Sequence, residues 1–185
     1  MKQKNEVQKN KNLKRGFTLL ELLVVVLIIG ILASIALPQY RLVTYKAKYT
    51  QMVNMVRALG NAEEQYYLEH NSYTYNLDDL SVSLPDGLEV GAEGRYFIGD
   101  CGLLLSKDYT SGILFKNNER VASYSFYYKF GNVLRGVTRC VTYATNKELG
   151  KKICESLGGE LISDRHATCG TTGNTICNQY LLYRH

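Results

Sequence analysis

Apolar residues crowd into one block near the N-terminus of the chain. Positions 17–37 are almost wholly apolar, with the acid Glu21 standing out among them. A run of roughly 21 such residues is long enough to cross a bilayer as one helix. After Pro38 the helical period continues, but one-sidedly. Leu42, Tyr45, Tyr49, Met52, Val56 and Leu59 recur at spacings of three and four, while Arg41, Lys46, Lys48, Gln51, Asn54 and Arg57 fill the opposite side. The pattern predicts one helix from Phe17 to about Leu59 or Leu68, apolar all round in its first half and amphipathic in its second, with Gly60-Asn61 as a break point. Gly30, Ser34 and Pro38 lie four apart on one face of it. Small residues at that spacing let helices approach closely. Pro38 removes a backbone donor and is expected to kink or loosen the helix.

The period then changes. Residues 65–87 gather Asn, Asp, Ser, Gly and Pro and read as a loop region. Asp78, Asp79 and Asp86 lack the glycine-punctuated spacing of a calcium loop and read as solvated. Four segments rich in Tyr, Val, Phe and Thr follow, at 95–105, 111–116, 121–130 and 133–144, with Asn117-Asn118 and Gly131-Asn132 as hairpin turns. Residues 145–158 read as a short helix stopped by Gly158-Gly159, and 160–185 as a loop or an extra strand region. A long helix first and a meander second make an α+β fold, with four antiparallel strands laid on the amphipathic half of the helix.

Charge sharpens this picture. The net charge of +5 is concentrated at the start, where Lys2, Lys4, Lys9, Lys11, Lys14 and Arg15 face a single acid, Glu6. Sixteen basic and sixteen acidic residues remain in the rest of the chain, which removes the bulk electrostatic case for nucleic-acid binding. Basic residues before an apolar span stay in the cytoplasm, so the C-terminal part is sent across the membrane. A secretory signal peptide would be shorter in its apolar core and would end in small residues, unlike Pro38-Gln39-Tyr40-Arg41. A simple anchor leaves Glu21 without a purpose. An acid at the bilayer centre costs about 2.5–3.5 kcal/mol on insertion scales, less near an interface, and calls for a partner.

Lys14-Arg15-Gly16-Phe17-Thr18-Leu19-Leu20-Glu21, followed by the apolar run, resembles the processing site of type IV pilins and pseudopilins. The resemblance implies a precursor cut by a prepilin peptidase between Gly16 and Phe17, with N-methylation of Phe17. It also implies that Glu21 pairs with the N-terminal amine of a neighbouring subunit, and that the region from Gly30 to Pro38 loosens in the filament. The domains it implies are a cleaved basic leader (1–16), an apolar transmembrane and assembly helix (17–40) and a pilin globular domain (41–185). Partners would be identical or related subunits, the peptidase and an assembly machinery in the inner membrane. The protein would lie first in the bacterial inner membrane, its domain in the periplasm, and then in an extracellular filament. A pseudopilin of a type II secretion system and a minor pilin that primes or decorates the filament share this N-terminal logic.

Many pilins carry a disulfide-bounded C-terminal region, and four of the five cysteines lie late in the chain. Export favours disulfides for such a cluster. The preferred pairing is Cys140–Cys154 and Cys169–Cys177, with Cys101 left over, one of several patterns that five cysteines allow. Catalysis finds no support in motifs: His70, His166 and His185 fall in loops or at the terminus, and no phosphate loop, Gly-x-Ser-x-Gly or His-Glu-x-x-His is present. Asp164, His166 and Cys169 are the one conceivable metal set, and an exported chain favours disulfides over it. No enzyme activity, cofactor, metal or nucleic acid is expected. The fifteen tyrosines are expected mainly to cover the sheet or line subunit contacts rather than to bind ligands.

Overall fold

A computed structural model describes residues 17–91, 94–131, 135–168 and 176–184, those beyond residue 160 by their backbone alone. The chain divides into two compact units, one ending at Arg41 and the other beginning at Leu42. Helix α1, Leu19–His70, contributes to both and runs without interruption through Pro38 and through Gly60-Asn61.

In the first unit the helix is apolar on every side and its large side chains are exposed. In the second unit one stripe of it is buried. Tyr49, Met52, Val53, Val56 and Leu59 join Leu103, Leu105, Leu114, Tyr124, Phe126, Tyr128 and Cys140 in a single core. The amphipathic reading of this half therefore names its inner face. Gly60 is not a break. A Cβ there would lie 2.5 Å from the Phe126 ring, so its lack of a side chain is what admits Phe126 against the helix. The sheet makes the matching concession at Gly112, whose Cβ would stand 2.7 Å from Met52. α1 also continues to His70, into a stretch expected to be loop. Its end is marked by Asn71, in the left-handed region at φ 54°, where asparagine is one of the few non-glycine residues tolerated.

A 3-10 turn at Leu77–Asp79 follows, with the Asn76 side chain accepting the Asp78 N–H. Eight strands then build one antiparallel sheet among the described residues, in the order β1-β2-β3-β4-β5-β6-β8-β7. They are β1 (Glu89–Val90), β2 (Arg95–Ile98), β3 (Cys101–Leu105), β4 (Tyr109–Lys116), β5 (Glu119–Tyr127), β6 (Val137–Tyr143), β7 (Glu160–Thr168) and β8 (Ile176–Arg184). The expected count of four is corrected upward for three reasons, the first being the two-residue β1, which pairs with β2 ahead of the expected segments. The run 95–105 is a tight hairpin, folded back at Gly99 with φ 54°. Residues 160–184 supply two further strands. The Asn117-Asn118 turn has both residues at positive φ, 51° and 63°, as a two-residue primed hairpin turn requires. The other turn expected, at Gly131-Asn132, falls partly outside the described residues, because Asn132 is not among them.

A second helix, α2 (Lys147–Ser156), leaves β6 after a short 3-10 turn and ends near Gly158, at φ 77°. It is amphipathic, burying Gly150, Ile153 and Cys154. Gly150 sits against the Val121 carbonyl, where a Cβ would come within 2.6 Å. A disulfide from Cys140 in β6 to Cys154 in α2 closes this corner. The buried hydroxyl of Tyr49 lies 2.8 Å from the Cys140 sulfur. A disulfide sulfur carries no hydrogen, so the phenol donates, and the bond ties α1 to the same corner.

Candidate assembly face

The first turn of α1 is closed by two residues of the segment on which the family resemblance rests. Thr18 stands just before the helix, and Glu21 is the third residue inside it. The Thr18 backbone N–H and hydroxyl both donate to Glu21 Oε2, each at 2.8 Å, and the Thr18 hydroxyl oxygen accepts the Glu21 N–H at 3.2 Å. This is a reciprocal capping box. A free helix start leaves its first N–H groups without partners, and here one side chain answers the other. The carboxylate also lies at the positive end of the helix dipole. Glu21 is therefore held within its own chain at the start of the apolar helix. Sequence reading fixed on the acid and passed over its partner. The signal was present as Thr-x-x-Glu directly before an apolar run.

Beyond this cap the helix offers a continuous apolar surface. Leu19 to Leu37 is long and apolar enough to cross a membrane, and Val24, the least exposed of its large residues, still shows 43% of its surface. Nothing lies within 4 Å of a Cβ built at Gly30. Ser34 donates its hydroxyl to the Ile31 carbonyl at 2.7 Å, which satisfies its polar group inside the helix and leaves a small surface beside Gly30. Pro38 is exposed and sits inside a helix that does not stop there. Chemically this unit can pack against lipid or other apolar helices, with one carboxylate near its start.

Of the other expected site residues, Gly16 and the leader before it lie outside the described residues, while Phe17 is exposed in front of the helix. Cys169 also lies outside them, and Cys177 is placed by its backbone in β8, opposite Tyr143 of β6. Cys101 is a buried free thiol whose pKa burial pushes up to about 11. That leaves it a poor nucleophile. Among the described residues, no three or more Asp, Glu, His or Cys side chains gather as a metal would need. Asp79 instead accepts bonds from the Thr74 hydroxyl at 2.7 Å and the Asn76 amide at 3.3 Å.

The prokaryotic N-terminal methylation motif matches residues 11–37. Known proteins resemble longer stretches. A type IV major pilin, PilE1 of Neisseria gonorrhoeae, is 37% identical over 73 residues, 40% of this chain and 44% of that protein. The type IV major pilin PilA of Myxococcus xanthus is 33% identical over 87 residues, 47% of this chain and 40% of its own. A fimbrial protein of Pseudomonas aeruginosa is 52% identical over 56 residues, 30% of this chain and 36% of its own. The chain thus spans less than half the length of these relatives.

Proposed function

We propose that this relative of the type IV pilins is a structural subunit of a pilus filament, not an enzyme. It is made as a precursor, cut between Gly16 and Phe17 and methylated on the new amine of Phe17. It then polymerises with identical or related subunits through its apolar helix. The observation that carries this reading is the methylation motif at residues 11–37 running directly into an exposed apolar helix whose capped acid is Glu21.

The proposed chemistry follows from the cap. Both bonds from Thr18 fall on one oxygen of Glu21, so the other oxygen is the one a neighbouring subunit's Phe17 amine would approach. A carboxylate in an apolar surrounding is costly unless it is paired. Only a subunit at the right axial position brings a cation there, so the pair sets register. Before assembly, the basic leader stays on the cytoplasmic side of the inner membrane, the apolar helix spans it, and the domain from residue 41 folds in the periplasm, where Cys140 and Cys154 oxidise. The small surface at Gly30 and Ser34 lets neighbouring helices close up, and Pro38 provides the place where the helix gives.

The intact mass and N-terminal sequence of the protein from sheared filaments test this reading. The expected chain begins at Phe17 and carries the mass of one extra methyl group. A chain that begins at Met1, or is cut after Leu37, overturns it. Abundance in the same filaments separates a major subunit from a minor one, and absence from pili with retention in a secretion complex would assign a pseudopilin. Glu21→Ala is expected to leave cleavage intact and to cut filament yield at least ~10-fold, the equivalent of losing about 1.4 kcal/mol per subunit contact.

A further inference from the structure

The second unit buries an acid that the filament model does not use. Glu63, on the inner face of α1, is fully shielded from solvent. Its Oε2 accepts the Thr74 N–H at 3.1 Å, and its Oε1 is buried without a hydrogen-bond partner. Thr74 is the hub of the connection that follows the helix. Its hydroxyl donates to Asp79 at 2.7 Å and accepts the Asn76 N–H at 3.0 Å, and the neighbouring Leu77 N–H is held by the Tyr96 hydroxyl.

We propose that Glu63 is a proton-operated latch, which in its neutral form holds the connection 73–80 against α1 and on ionising releases it. The surroundings of Glu63 carry this inference. From the helix side comes Glu64, itself engaged with the Lys129 N–H at 2.6 Å and the Tyr73 hydroxyl at 3.5 Å. From the connection come Thr74 and Asp79. From the sheet side comes Tyr128, the residue just after β5, whose hydroxyl is bonded to Thr110 of β4 at 2.5 Å. The charges acting on Glu63 are those of Asp79 and Glu64, both negative. A lone carboxylate in such a place is costly, and the ordinary outcome is protonation. Burial is the main cause of the shift, and it raises the Glu63 pKa from 4.5 to about 7 against the opposing Thr74 bond.

The sign follows from linkage. The folded pKa lies above the unfolded one, so the closed connection binds the extra proton. Its stability is complete below about pH 4.5 and declines until about pH 7, after which it stays at its lower value. Those two pKa values make opening about 30-fold more favourable at about pH 8.5 than at about pH 5.5.

The test is hydrogen exchange read by mass spectrometry on the full chain in detergent micelles at those two pH values, corrected for intrinsic exchange. Protection of residues 73–80 is expected to fall about 30-fold in the wild type, to be nearly pH-independent in Glu63→Gln, and to fall still in Glu64→Gln. Equal protection at both pH values in the wild type, or an unchanged fall in Glu63→Gln, overturns the latch. Should Glu63→Gln fail to fold, carbon NMR of the wild-type Glu63 carboxyl decides: a midpoint well above the ordinary range supports the latch, and one near 4.5 refutes it. Neither measurement depends on the protein forming filaments.

Discussion

Two glycines in the long helix show how one residue type serves opposite ends. Gly60 faces the Phe126 ring at a distance no Cβ can occupy, whereas Gly30 faces open space. Gly60→Ala is therefore expected to destabilise the domain by about 1–3 kcal/mol through overpacking. Thermal unfolding should register this as a fall of about 2–4 °C per kcal/mol. Gly30→Ala should leave the unfolding temperature of the domain unchanged, since alanine is the better helix former, and should lower filament yield because helices can no longer approach as closely there. An unchanged yield would assign Gly30 no part in assembly. At this scale Glu21 was legible because its oddity is local, a charge inside an apolar run. Gly60 and Glu63 were not. A glycine admitting a ring 66 positions away and an acid buried beneath a later loop leave no periodic trace in sequence.

Among the elements, the amphipathic half of α1 could be read from Tyr49, Met52, Val56 and Leu59, because a buried stripe on a helix writes itself at spacings of three and four. Strands β4, β5 and β6 were likewise visible in their Tyr, Val and Phe content. The hairpin of β2 and β3 was read as one strand, since Gly99-Asp100 interrupts the apolar residues only briefly. β7 was legible only as part of a loop or extra strand region, because Ser163-Asp164-Arg165-His166 shows no alternation; its place is fixed by pairing with β8, a tertiary fact. The bridge between β6 and α2 encloses a short loop, with 14 residues of separation. In the loop-entropy picture a bridge of this span contributes about 3 kcal/mol. Replacing Cys140 and Cys154 together by alanine should lower the denaturant midpoint accordingly and remove the acceptor that Tyr49 uses. If the midpoint of the double variant matches that of the oxidised wild type, the bridge has no stabilising role.

For the molecule as a whole, the charge asymmetry predicts a change on the proposed maturation. The full chain has a sequence pI near 8.9, whereas the chain beyond Gly16 holds equal numbers of acidic and basic residues. Isoelectric focusing should therefore show the filament form well below the precursor, near neutrality, and co-migration of the two would mean that the leader is retained. The sheet order has a further consequence, for the timing of folding. β8 follows β6 and β7 in the chain and yet lies between them. If the domain crosses the membrane in chain order, as proposed above, α1, β1 to β6 and the Cys140–Cys154 corner are in hand while the slot between β6 and β7 is still vacant. Throughout that interval β6 presents an open edge to any passing strand. β8 is thus a closing key, and a ribosome stalled or a protease active just before residue 176 would leave an adhesive fragment rather than a slightly shorter subunit.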